Sequence, residues 1–415
     1  MHRIPLRTTP RSLCIHATAL ALALSSCLGS GCVSRMDPVA ARNEFSSKER
    51  SMSASSASGA RIATASHPEA THIPLGDGPV TLSAPTSEGQ SAAAAVPERL
   101  RADAESILRQ AAQNSWAALR AHAIEASVGN PALLAELAPR GLADENRGVR
   151  FVSCMAIAEA RATGVAVLAE PLLADESGSV RAAAMLVMSR AGRKVDLTPL
   201  AAMAFDSDPE VRANAYLVLG EIGNASAIPV IRESLGQGMG LLNPIRVRLV
   251  GMAAAEALVK LGDQTQIEPI RAALFAPPQQ SELTVVACDS LGRLGDEIAR
   301  PMLERLVSGS GESKRSAEVR LAAAEALVRL SGGPKAGVSA LSTGSAATAQ
   351  QATFRMALAV AREYIADPDP RIRTQVASLL GQIGAMESTA LLARLVRDSD
   401  PVVQVAAAAG VESAE

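Results

Sequence analysis

One phrase recurs along the chain, about thirty-one residues apart in its regular parts and with longer gaps after Val211 and Val319. DSDPEVRANAYLVLGEIG starts at Asp206 and DPDPRIRTQVASLLGQIG at Asp367, with weaker echoes from Asp144, Asp175 and Asp398. Each echo carries a branched apolar residue, and Val149, Val180 and Val211 stand thirty-one residues apart. Self-similarity at that period builds a stack of small units, each burying its apolar face only against its neighbours. The expected architecture is therefore a repeat array and not a single-core globule.

Aligned on the branched residue, the units centre on Leu119, Val149, Val180, Val211, Val250, Leu283, Val319, Ile372 and Val403. Offsets of 0, +4, +7, +8 and +11 from each centre are almost uniformly apolar, which is the period of one helix face. Gly192, Gly223, Gly262, Gly295 and Gly384 follow at +12, where a helix needs a left-handed residue to stop. Asp208-Pro209, Asp369-Pro370 and Asp400-Pro401 place a side-chain acceptor before a residue with no amide hydrogen, as a helix start prefers. A second apolar helix, such as Ala227–Leu235, lies between the centres. Aromatics make up 2% of the chain, so Ala, Leu, Val and Ile must form the core, and all of them permit close helix approach. The fold class expected is all-α, an α-α superhelix over residues 97–415. It begins with a capping helix at Pro97, whose Leu100, Ala104, Ile107, Leu108 and Ala111 share one face. Eight or nine helix pairs stacked at 8–10 Å would make a curved array roughly 80–90 Å long. The gap after Val319 contains SGGPKAGVSALSTGSAATAQQAT, read as an irregular insert over 331–353 that could hinge the array.

These residues resemble the HEAT repeat family, in its bacterial variant related to the phycobilisome-lyase HEAT-like repeats, over residues 115–411. In that family a turn Asp and an Arg six residues later commonly form a hydrogen-bonded ladder between units. The resemblance assigns this role to Asp144 and Arg150, Asp175 and Arg181, Asp206 and Arg212, and Asp367 and Arg373. The last unit has Asp398 but Gln404, the Val250 and Leu283 units have neither partner, and the Val319 unit has Arg320 alone. Two regular blocks joined by a less constrained middle are expected.

The amino terminus has a different character. Residues 1–26 hold Arg3, Arg7 and Arg11, no acid, and an apolar stretch near Leu13–Leu24 that is too short and interrupted to span a bilayer. Leu24-Ser25-Ser26-Cys27 resembles the lipobox of bacterial lipoproteins, with Cys27 as the lipidated residue and Cys32 the second choice. This implies an exported protein, anchored by lipid to the cell or outer membrane and facing the periplasm or exterior. Residues 27–96, rich in Ser, Ala and Gly and without hydrophobic period, read as a disordered tether. Cys154 and Cys288 sit at equivalent positions of units several places apart, so they read as apolar fillers and not as a disulfide.

A net charge of −2 offers no field for nucleic acid. No phosphate loop, metal-type His/Cys spacing or nucleophile elbow occurs, so no catalytic residue, no metal and no cofactor is assigned, and the chain is expected not to be an enzyme. Glu256/Lys260, Asp289/Arg293 and Glu325/Arg329 are acid-then-base pairs four apart, read as a solvated, self-compensating face. At the same offset, earlier units carry Met155, Leu186 and Leu217, flanked by Phe151. This apolar row is either a partner surface or packing between repeats. Trp116 reads as packing over the start of the first unit. The function expected is a protein–protein interaction scaffold at the cell envelope; the alternatives are a bilin-lyase-like enzyme or a cytoplasmic scaffold.

Overall fold

The structure, a computed structural model, describes residues 87–332, Leu241 excepted, and 345–413. The leader at 1–26, Cys27, Cys32 and the tether up to Thr86 lie outside the described residues. So does the stretch 333–344 of the expected insert. Eighteen helices and no strand occur among the described residues. An outer series comprises α1 (Ser87–Ala111), α3 (Pro131–Leu142), α5 (Thr163–Ala166), α7 (Thr198–Met203), α9 (Ile228–Ser234), α11 (Ile267–Ala273), α13 (Arg300–Ser308), α15 (Ser345–Tyr364) and α17 (Met386–Leu395). An inner series alternates with it: α2 (Ala117–Ala126), α4 (Arg147–Ala160), α6 (Gly178–Arg190), α8 (Pro209–Ile222), α10 (Pro244–Lys260), α12 (Ser281–Leu294), α14 (Ala317–Leu330), α16 (Pro370–Ile383) and α18 (Pro401–Ser413). Helix α1 starts before Pro97, and the carboxyl half of the expected insert, from Ser345, is helical.

The start and stop of each inner helix follow from local chemistry. Asp144, Asp175, Asp206, Asp367 and Asp398 each accept the N–H two residues on, at 2.8–2.9 Å, and so close the turn. The second polar residue then caps the helix: Asn146, Asp208, Asn243, Asp369 and Asp400 accept the amides of Gly148, Glu210, Ile245, Arg371 and Val402. Gly223, Gly295 and Gly384 end their helices at φ of 75°, 70° and 62°. In the Val149 unit the same place is taken by Arg161, held at φ 50°, the one non-glycine with positive φ among the described residues.

The inner helices pack side by side in chain order, each with an outer helix behind it. Small residues set how close they come. A Cβ on Gly220 would lie 3.0 Å from Cα of Ala257, one on Gly292 2.9 Å from Cα of Ala326, and one on Gly381 2.5 Å from Cα of Gly410. All three glycines stand at +9 in their units and meet the +7 residue of the next. Most residues of α4, α6, α8 and α10 are buried.

Packing does not stop at the ends. Helix α18 lies against α2, so the nine inner helices form a closed circuit. Asn130, which caps α3 through Leu133 N–H, donates its amide to Glu105 at 3.2 Å and to Glu412 at 3.0 Å. The expected curved array of 80–90 Å is corrected accordingly: the first and last units are neighbours. The irregular middle does not loosen the stack either, since α14 packs directly on α16.

Candidate functional site

Three sets of polar side chains tie neighbouring units together, and several large apolar side chains face solvent. At the turn rim, the guanidinium of Arg150 donates Nη1 to its own Asp144 carbonyl and its fork to the Asp175 carboxylate of the next unit, at 2.8 and 3.1 Å. Arg373 repeats this with the Asp367 carbonyl and the Asp398 carboxylate, both oxygens at 2.8 Å. Arg120, which motif matching overlooked, does the same with Asp144 at 2.7 and 2.8 Å. It stands directly after the Leu119 centre, as Arg150 follows Val149. Burial raises the carboxyl pKa of Asp144 and Asp175, but the arginine forks and turn amides outweigh it and hold both below the usual range. For Asp398 the Arg373 hydrogen bonds dominate outright, with the same sign.

The other named arginines behave differently. Arg181 donates to the carbonyls of Asp175 and Glu176 in its own turn, while the Asp206 carboxylate accepts the Asp208 amide. Arg212 is fully buried and reaches carbonyls of the next unit, Ser234 at 3.2 Å and Gln237 at 2.7 Å, because no aspartate stands there. Arg320 bonds Glu363 and Tyr364 and lies 5.4 Å over the Tyr364 ring. These bonds, with that of Lys314, pull the Glu363 carboxyl down to about 2.

A second ladder runs along the opposite rim. Arg232 pairs with Asp263 at 2.7 Å, and Arg271 with Asp296 at 2.7 and 2.6 Å. Its sequence signal is the Gly-Asp step Gly262-Asp263 and Gly295-Asp296, directly after the helix stop.

The acid–base pairs on α10, α12 and α14 are not a solvated face. They belong to a buried chain of alternating charges, Arg190–Glu221–Lys260–Glu256–Arg293–Asp289–Arg329–Glu325, that crosses from α6 to α14. The Lys260–Glu221, Lys260–Glu256 and Arg293–Glu256 contacts lie at 2.6–2.8 Å, and Ser290 adds a hydroxyl to Glu256 at 2.7 Å. Four acids balance four bases, which a buried network requires. Burial would lower the Lys260 pKa, yet Glu256 and Glu221 raise it above the usual range. Glu325, at the end of the chain, is pushed up to about 7 by burial against the opposing effect of Arg329.

The candidate partner row is likewise corrected. Phe151, Met155, Leu186 and Leu217 are all buried and belong to the hydrophobic core. Inner helices flanked on both sides by neighbouring inner helices leave these positions no open arc. The exposed large hydrophobics include Val167, Leu168, Ile298 and Met386, and also Phe205, Leu235 and Phe275, one or two residues after the ends of α7, α9 and α11. These last three recur at one place in the repeat. They occupy the same rim of three consecutive units. Trp116 is half-exposed, and its backbone N–H donates to Asn114 Oδ1. Tyr216 is fully buried, its hydroxyl 2.8 Å from that of Ser234. Cys154 and Cys288 are buried free thiols whose pKa burial drives far above the ordinary range, so neither forms a ready thiolate at neutral pH. A cleft of about 410 Å³ opens between α1, α2 and α3, lined by Arg120, Arg140, Asp144 and Glu145. Among the described residues no group of three or more potential metal ligands occurs, and no helix is long and apolar enough to cross a membrane.

Comparison with known proteins gives the class of the repeats. Residues 165–238 and 343–412 match the model for HEAT repeats, and residues 250–275 match that for the PBS lyase HEAT-like repeat. A search of curated proteins finds no match. Among solved structures, an engineered protein is 16% identical, covering 80% of this chain and 97% of its own, with a TM-score of 0.30. Human deoxyhypusine hydroxylase is 18% identical over 67% of this chain and 94% of its own, TM-score 0.33. The CpcE–CpcF complex of phycocyanin lyase from Nostoc is 20% identical over 65% and 91%, TM-score 0.28. The expectation that the chain is not an enzyme is corrected by the match at 250–275, a repeat type named for a lyase. On its matched segments the chain carries HEAT repeats over residues 165–238 and 343–412 and a PBS lyase HEAT-like repeat over 250–275, within an array of helix pairs.

Proposed function

We propose that the array binds a protein partner at the cell envelope, where a lipid on Cys27 holds the chain. The observation that carries the reading is the solvent-facing trio Phe205, Leu235 and Phe275 on one rim of consecutive HEAT units. Exposed aromatic and aliphatic side chains at a repeated position suit a surface read over several units. The balanced charge of the chain disfavours nucleic acid as the partner. Affinity capture from envelope fractions with the full chain tests this. Phe205→Glu and Phe275→Glu, both at exposed sites, are expected to keep the wild-type circular dichroism and melting temperature and to lose the captured protein. Retention of that protein by the double variant would sink the rim as the partner surface. The anchor is tested separately: palmitate incorporation is expected in the wild type and absent in Cys27→Ala.

A second reading, a lyase-type activity, is favoured by the match at 250–275. Mixing the chain with a bilin and a phycocyanin-type apoprotein would then give colour that survives a denaturing gel.

A further inference from the structure

We infer that the seam between α14 and α16 is a pH-set joint, closed while the Glu325 carboxyl carries its proton and loosened when that carboxyl ionises. Every other seam spanned by an outer helix has an ion pair across it. Arg120–Asp144, Arg150–Asp175 and Arg373–Asp398 tie α2, α4 and α16 to the turn that starts the next inner helix. Arg190–Glu221, Lys260–Glu221, Arg293–Glu256 and Arg329–Asp289 join α6 to α8, α8 to α10, α10 to α12 and α12 to α14. Among the described residues no ion pair joins α14 to α16 or to its turn. Arg320 reaches Glu363 on α15 instead, and Glu318 and Arg371 attract each other without pairing. The spacing residue differs too. In the flanking seams a Cβ on Gly292 or Gly381 would lie 2.9 or 2.5 Å from the next backbone, whereas the same +9 position of α14 holds the buried Val328. Val259 puts the same spacer between α10 and α12, but there Arg293 and Glu256 close the seam at 2.6 Å.

Glu325 stands at this seam as the last member of the charge chain, and α16 meets it with the neutral Ser378 and Gln382. The charged groups that face it are Arg329, 3.6 Å away on its own helix, and Asp289 on α12, which shares that arginine. On α13 and α15, also packed against α14, the charges are engaged or exposed. Arg300 lies between Glu297 and Glu304, Glu363 holds Arg320 and Lys314, and Arg305, Arg355 and Arg362 are at the surface. A protonated Glu325 can donate to an oxygen across the seam. Ionised, it is a buried carboxylate beside a second one, with a share of a single arginine, which a closed seam tolerates poorly. Burial, with Asp289 adding to it, raises this carboxyl to about 7, and Arg329 offsets that only in part. Where the seam parts, water reaches the group and its pKa returns toward the ordinary 4.5. The closed seam thus binds the proton more tightly than the open one, and a rise in pH through the closed-state value favours opening.

The experiment is amide hydrogen exchange on the full chain, read as protection factors so that the chemical pH dependence of exchange divides out. Between about pH 5.5 and about pH 8.5, protection in α14 and α16 is expected to fall on the order of a hundredfold while α4 and α6 hold theirs. Glu325→Gln, which cannot ionise, is expected to flatten the response. Gln382→Lys supplies the base that the other seams have, and is expected to keep the acid-side protection at the higher pH. A wild-type profile that stays flat overturns the inference. So does a fall of equal size in α4 and α6, which would make the loss one of the whole molecule. A fall in Glu325→Gln as steep as in wild type has the same force. Should that variant fail to fold, the lysine variant decides in its place: an undiminished fall in folded Gln382→Lys overturns the joint, and retained protection supports it.

Discussion

Gly381 and Gly251 are both helical glycines, yet their surroundings give a methyl group opposite signs. At Gly381 an added Cβ would meet Cα of Gly410 at 2.5 Å, and backbone cannot step aside as a side chain can. Gly381→Ala is therefore expected to destabilise the protein by roughly 1–3 kcal/mol, the usual cost of overpacking. At Gly251, within α10, nothing lies within 4 Å of the new atom, so Gly251→Ala should stabilise by about 0.5–1 kcal/mol through helix propensity. Urea midpoints of the two variants check the pair; shifts of the same sign would contradict the close approach of α16 and α18. The sequence displays one kind of glycine and hides the other. Gly223, Gly295 and Gly384 announce themselves by falling just after a helical apolar run. Gly220, Gly292 and Gly381 sit inside such runs, where a small residue carries no signal until its neighbour across the seam is known.

The same limit governs whole elements. Periodicity on α10, α12 and α14 shows that Glu256, Lys260, Asp289, Arg293, Glu325 and Arg329 share a face, but not what covers it. Acid–base pairs four apart stabilise an exposed helix and a buried seam alike, and here each base also reaches the acid of the preceding helix. The turn ladder was legible because Asp, Pro and Arg fall at fixed offsets within one unit. Its rungs cross to the next unit, so the pairing of Arg120 with Asp144 appears only when units are stacked. Glu325 gives the network a measurable pH signature. It is faced by Arg329 on its own helix, Asp289 on α12, and Ser378 and Gln382 on α16. Its folded pKa of about 7 lies above the ordinary 4.5, so the folded state holds the proton more tightly than the unfolded chain. That contribution is whole below the unfolded pKa and is lost as pH rises through the folded one. Wild type should thus lose stability to this group between pH 5 and pH 8, by roughly 1–3 kcal/mol. Glu325→Gln, which cannot ionise, should show a correspondingly smaller loss over the same interval in denaturant titrations. Parallel curves for the two proteins would mean that Glu325 does not titrate in that window.

At the scale of the whole array, closure is the property least visible beforehand. No unit encodes it; it is the sum of small rotations over nine inner helices, and the residues that meet, Asn130 and Glu412, are an unremarkable amide and acid in sequence. Its consequence is thermodynamic. In an open repeat array each unit feels only its neighbours, so a lesion in the first unit fades with distance along the chain. In a closed one the last unit is also a neighbour of the first. Leu119, buried on α2, is the residue with which to test this. Leu119→Ala removes core packing from a single unit, a change that costs roughly 2–5 kcal/mol at such sites. Hydrogen exchange should then quicken in α4, which packs on one side of α2, and in α18, which packs on the other, while α10 and α12 across the circuit change least. If α4 alone quickens and α18 keeps its wild-type rate, the two ends do not share a core, and the circuit is open in solution.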